Sequence, residues 1–215
     1  WNETEHAVEG EDWSLPAWVK PAPYSGVQIS EKLVGPEFPG RIQRAVTVSW
    51  RQLEATEGVF DFAALRQKIL DTSQQGRYAV KLSLPASVWE TRYFVSLEDR
   101  ALRKTEEGTA PLWLSRYGIP IREEAPNRSI PFQVVNLDIY HPEYHRRYLR
   151  LVEAFGGSGI PQMPELDLCY LHLVSPSRGE EGDGPPPGDP RRPLFEQRLR
   201  AWADAFRGVT HKLCL

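Results

Sequence analysis

The sequence predicts an α/β protein built around a parallel sheet. Three observations carry that expectation. Two apolar, β-branched runs, Ala45–Ser49 and Tyr78–Leu84, flank an amphipathic segment within about 40 residues, the span of a βαβ unit. Two further helix-then-strand patterns follow, the first entered at Pro142 and the second after the Pro-rich stretch near position 185. No apolar run reaches the roughly 18 residues of a membrane span. Lys plus Arg is 26 and Asp plus Glu is 29 among 215 residues, a net charge of −3. That balance excludes the strongly basic domain of a dedicated nucleic-acid binder, so neither nucleic acid nor membrane is an expected partner. The aromatic content of 11% supports a packed core and argues against global disorder.

Each element has its own local reason. Residues 1–26 form a polar, Pro-containing N-terminal extension, and Trp1–Gly10 is too acidic for a signal peptide. A weak strand falls near Val27–Ile29. Ala45–Ser49 is a strand, and Trp50–Gly58 after it reads as a loop. Asp61 offers an N-cap, with Phe62, Leu65, Ile69 and Leu70 at helical spacing and Gly76 as the stop. Tyr78–Leu84 is the next strand. The regular pattern then fails from 85 to 140, a long loop whose Trp89, Tyr93, Phe94, Trp113 and Tyr117 point to function rather than disorder. Pro142 suits the first turn of a helix. Tyr144, Tyr148, Leu151, Val152 and Phe155 make its apolar stripe, down to a stop at Gly156–Gly157. Leu166–Leu173 alternates as a half-buried strand. Phe195, Leu199, Trp202 and Phe206 mark a last helix, capped by Gly208 and followed by a strand from Val209. The arginines between Arg191 and Arg207 read as a solvated helix face. Cys169 and Cys214 read as two buried thiols rather than a disulfide or a metal pair.

The order β-β-α-β-loop-α-β-loop-α-β fits either a doubly wound layer or part of a (β/α)8 barrel. GxGxxG and GxxxxGK[ST] are both absent, so the nucleotide-binding version loses support. The expectation is therefore a partial (β/α)8 TIM barrel over residues 27–215, about its first five strands. A whole barrel takes about 250 residues. The single methionine, Met163, also reads as that of an incomplete chain.

In such a barrel the active site is built by the loops that follow the strands. Those loops hold Trp50 with Glu54 and Glu57, then Trp89 with Glu90, then Arg178 with Glu180 and Glu181. Aromatic faces stack on the C–H face of a sugar ring, and carboxylates bind hydroxyls or move protons. Each residue also has a plainer reading. Glu54 and Glu57 could organise the loop, Trp50 and Trp89 could be core, and Glu180 and Glu181 could edge a charged loop. His172 on the Leu166–Leu173 strand is either a structural, hydrogen-bonded histidine or a substrate contact. His141 and His145 stand at i, i+4, but no third metal ligand is evident, and no cofactor is expected. The G-x-S-x-G signature of a serine hydrolase is absent.

The stretch Val48-Ser-Trp-Arg-Gln-Leu-Glu-Ala-Thr-Glu-Gly-Val-Phe-Asp-Phe62 resembles one in (β/α)8 glycoside hydrolases of the large retaining clan that includes β-galactosidases. There W-x-x-(L/I)-E-P-x-x-G-x-(Y/F)-D-(F/W) joins the second strand to the second helix. His141-Pro-Glu-Tyr144 and its helix resemble the segment before the fourth strand. Ser177-Arg-Gly-Glu-Glu-Gly182 resembles a strand-four G-x-W-G-E motif of uncharacterised relatives. The resemblance implies a carbohydrate substrate and Glu180, with Glu181 beside it, as general acid/base. Trp50, Glu54, Trp89, Glu90, His172 and Arg178 would shape the sugar site. It also implies a secreted or periplasmic setting. Ala55 departs from the family's proline, Gly179-Glu180-Glu181 replaces its Asn-Glu pair, and the strand-seven nucleophile has no counterpart here. Glycoside hydrolysis needs two carboxyls flanking the scissile bond, so this chain alone is expected to be inactive. A non-catalytic carbohydrate-binding barrel relative and a small α/β interaction domain are the alternatives.

Overall fold

The computed structural model describes residues 42–94, 102–123, 132–170, 185 and 187–214. The candidate strand at Val27–Ile29 and the segment with His172, Arg178, Glu180 and Glu181 lie outside them. Within them the fold is mixed α/β, with one parallel and one antiparallel sheet.

Strand β1 (Ile42–Thr47) runs into a one-turn helix α1 (Trp50–Leu53) and then α2 (Phe62–Ser73). Sequence reading leaves Trp50–Leu53 as loop. Ser49 and Gln52 explain the helix: they form a capping box, Ser49 Oγ accepting from Gln52 N at 3.2 Å and Gln52 Oε1 from Ser49 N at 3.0 Å. Asp61 caps α2 by accepting from Ala64 N at 2.9 Å. That helix ends at Ser73, earlier than the Gly76 stop, because Gln74 and Gln75 both turn left-handed, with φ of 47° and 60°. Strand β2 (Tyr78–Ser83) then lies parallel to β1, Ala45 opposite Lys81.

The predicted long loop is a second sheet. Strands β3 (Val88–Phe94), β4 (Leu102–Glu107), β5 (Ile121–Glu123) and β6 (Phe132–Leu137) pair antiparallel in the order β4-β3-β6-β5, with a 3-10 turn at Leu112–Tyr117 between β4 and β5. Gly108 closes the β3–β4 end, because a Cβ there would fall on the Val88 carbonyl. The chain then returns through α3 (Pro142–Gly157) to β7 (Leu166–Tyr170), and through α4 (Arg192–Ala205) to a 3-10 turn at Thr210–Lys212 and β8 (Leu213–Cys214).

The parallel strands are ordered β1-β2-β7-β8, the order of the chain. One face of this sheet, Val46, Val80, Leu82, Leu166 and Cys169, joins a single core cluster. Leu65 and Ile69 of α2, Leu151, Val152 and Phe155 of α3, and Phe195 and Trp202 of α4 belong to the same cluster. All three long helices therefore cover one face. The other face carries Gln43, Ala45, Thr47, Lys81, Ser83 and Tyr170, which are not buried, and Ala79, which is. A bulge between Val80 and Lys81 gives Asp167 no partner in register and aims its carboxylate across β2, where Gln43 Nε2 donates to it at 2.7 Å.

Cys169 is buried and Cys214 half-buried. They stand on neighbouring strands but are not opposite one another, and no disulfide joins them. Burial, with Cys214 nearby, pushes the Cys169 thiol well above its ordinary value. One arginine departs from the solvated-face expectation: Arg198 is only 1% exposed, turned inward between α3 and α4.

Candidate functional site

The C-terminal ends of β1 and β2 are stitched together beyond the strands themselves. Val48 N donates to Ser83 O at 3.1 Å, Trp50 N to Pro85 O at 3.0 Å, and Arg51 N to Thr109 O at 2.8 Å. The loop after β1, the exit from β2 and the antiparallel sheet thus meet at one end of the parallel sheet.

Trp50 and Glu54 meet inside this junction. Trp50 Nε1 donates to Glu54 Oε2 at 2.7 Å, and Gly58 N to Glu54 Oε1 at 2.6 Å. The Arg150 guanidinium of α3 completes the carboxylate's partners, and Trp113 Nε1 donates to the Glu54 carbonyl at 2.8 Å. Both residues have no exposed surface. The Trp50 ring sits edge-on to Trp113, Tyr144 and Tyr148, with centroids 5.6–6.0 Å away. In this geometry the pair ties the turn after β1 to α3 through hydrogen bonds made within the protein.

Glu57 stands nearer the surface. Tyr117 Oη donates to its Oε2 at 2.7 Å, and Arg147 Nε to its Oε1 at 3.3 Å. The Tyr117 hydrogen bond is the main reason its carboxyl lies below the usual carboxylate range. Burial opposes, and Arg147 and Arg150 add to the lowering. The Arg147 guanidinium also lies over the Tyr117 ring, 3.1 Å from its centroid, and pairs with Glu143.

Trp89 and Glu90 open β3. Trp89 is half-buried against the core. Its carbonyl accepts from Arg51 Nη2 at 3.1 Å, while Arg51 Nε donates to Ala110 O at 2.7 Å. Arg51 therefore clamps the loop after β1 to the antiparallel sheet, a role with no visible sequence signal. The Glu90 carboxylate is held by Arg92. Arg92 Nη1 also donates to Glu123 Oε1 at 2.6 Å, and Gln133 Nε2 reaches Glu123 Oε2 at 3.4 Å. The Glu123 bond is the main cause holding the Arg92 guanidinium above its ordinary value, against the effect of burial.

Glu90, Arg92, Gln133 and Glu123 make a half-exposed patch of donors and acceptors on one face of the antiparallel sheet. Two carboxylates around one guanidinium, flanked by an amide, suit hydrogen bonding to vicinal hydroxyls. Of the residues singled out from sequence, the structure brings Trp50 and Glu54 together in the core and places Trp89 and Glu90 at the start of the insert. His141 caps α3, and His145 is engaged with α4. No cluster of three or more candidate metal ligands exists among the described residues, and no described helix is long and apolar enough to cross a membrane. No protein-family model matches the chain and no curated protein matches it, so its function is read from its own residues.

Proposed function

We propose that the parallel sheet is one wall of a (β/α)8 barrel and that the protein hydrolyses glycosidic bonds at the C-terminal ends of its strands. One observation carries this reading: among the described residues, four parallel strands follow in chain order without reversal, and the long helices α2, α3 and α4 share one core cluster with one face of that sheet. A doubly wound sheet would reverse order at a switch point and carry helices on both faces. A barrel wall does neither.

The chemistry of this reading belongs to the segment with Arg178, Glu180 and Glu181, which lies outside the described residues. Glu180, or Glu181 beside it, is the general acid, giving its proton to the leaving oxygen as the bond to the anomeric carbon breaks. The new bond there comes from a second carboxylate, or a water that it activates, which is not among the residues named here. Arg178 steers the ionisation of this pair or contacts substrate. The Glu90–Arg92–Glu123–Gln133 patch holds sugar hydroxyls outside the bond being broken.

Two measurements test this. Titration of oligosaccharides into the chain should show binding that Arg92→Ala weakens at least tenfold. Glu180→Gln should cut hydrolysis of aryl glycosides by about 10²–10⁴, the usual loss of a general acid. Binding without cleavage would move the protein to the carbohydrate-binding alternative. The absence of both binding and cleavage would sink the reading.

A further inference from the structure

A polar joint between α3 and α4 lies apart from all of these groups. His145 is 7% exposed and Arg198 1%. Arg198 Nε donates to His145 Nδ1 at 3.2 Å, and His145 Nε2 stands 2.9 Å from Gln197 Oε1. The two contacts fix the protonation state. A guanidinium N–H can only donate, so Nδ1 accepts and carries no proton. The Gln197 oxygen can only accept, so the ring's one hydrogen is on Nε2. His145 is neutral here, and a second proton has only Nδ1 to go to. That proton would abolish the Arg198 bond and set two cations face to face in a buried joint.

We propose that His145 and Arg198 form a pH-sensitive latch that holds α4 against α3 near neutrality and releases it in acid. The groups bearing on the ring are Gln197 and Arg198 from α4, and His141 on its own helix, whose carbonyl accepts His145 N–H at 3.0 Å. Arg198 is in turn surrounded by the rings of Tyr140, Tyr144 and Tyr148, at 5.3–5.6 Å, and donates to the Ile139 carbonyl. Burial holds His145 below its ordinary 6.5; Gln197 opposes this and Arg198 adds to it. The sign follows. Between the lowered value and 6.5 the unfolded or undocked state binds more protons, so the joint weakens as pH falls below 6.5 and the loss levels off under the native value. Ile139 leads from the antiparallel sheet into α3, so release acts where that sheet rejoins the helices.

The test is an NMR titration of the His145 ring, followed alongside by the indole N–H resonance of Trp202. Trp202 reports on the same joint because its Nε1 donates to Tyr148 Oη at 3.0 Å. The latch requires a His145 midpoint below 6.5 and a Trp202 change at the same midpoint. His145→Gln should remove that step. Gln197→Glu, at an exposed position, should leave the fold intact and move both midpoints up together by supplying a carboxylate to Nε2–H. A His145 midpoint at or above 6.5, a Trp202 signal flat across it, or a Gln197→Glu variant in which the two midpoints part would overturn the proposal.

Discussion

Glu54 shows how little a residue's type says about its task. A glutamate in a loop after a strand reads as a candidate acid or substrate ligand. Its position four residues after Trp50 puts the carboxylate on the indole N–H, and the Arg150 guanidinium and Gly58 N–H use the other oxygen. Glu54→Gln should destabilise the fold by about 1.5–3 kcal/mol, the range for hydrogen bonds to a charged group. Arg150 is 39% exposed and regains water, which keeps the loss below that of a fully buried broken pair. Urea unfolding would read it, and an unchanged midpoint would contradict the structural role. Glu57 carries a pH consequence. Its carboxyl is lowered in the native state, so its contribution is complete above the ordinary carboxylate range and is lost as pH falls through the native value. Tyr117→Phe removes the main cause, and the Glu57 carboxyl, followed by NMR, should then titrate closer to 4.5.

Among the elements, α3 was the most legible. Its five apolar positions at helical spacing are all buried, and Pro142 and the Gly156–Gly157 pair mark its first and last turns. The helix at Trp50–Leu53 was not legible: it has one turn and no periodicity, and its Ser49–Gln52 capping box shows only in the structure. The antiparallel sheet was hidden for a different reason. Leu102-Arg-Lys-Thr-Glu-Glu107 has the composition of a charged loop, and its pairing is set by a partner strand rather than by its own pattern. Arg198 was illegible because a buried arginine and a solvated one are the same letter in an amphipathic helix. The crossing of α3 and α4 supports a direct test. A Cβ on Gly156 would lie 2.9 Å from Ala205 Cα and 3.0 Å from its Cβ. Gly156→Ala gains roughly 1 kcal/mol of helix propensity. The crowding opposes it, with overpacking costs of about 1–3 kcal/mol. The variant should have a lower Tm by thermal unfolding; a clear gain would mean that the helices separate freely.

At the scale of the whole molecule, the parallel sheet was legible and the insert's architecture was not. Ala45–Ser49, Tyr78–Leu84 and the strand from Leu166 declare themselves by apolar runs, because a sheet covered by helices needs them. The two layers are held to one another partly by Arg51, which reaches Trp89 O, Ala110 O and Glu107 from the loop after β1. Arg51→Ala should therefore raise amide hydrogen exchange in β3 and β6 while leaving β1 and β2 protected. Equal loosening of both sheets would show that the insert is not separately anchored.

The placement of the insert also sets an order in time. Strands β3 and β4, and β5 and β6, are hairpins of sequence neighbours, whereas β3 pairs with β6 only across β4 and β5. β2 finds β7 only after the whole insert and α3 have been threaded between them. Such distant closure is entropically slow, while local hairpins form in about 1–10 μs. Folding should therefore form the β3–β4 and β5–β6 hairpins and α3 early, join β3 to β6 next, and close the β2–β7 ladder last, as the rate-setting step.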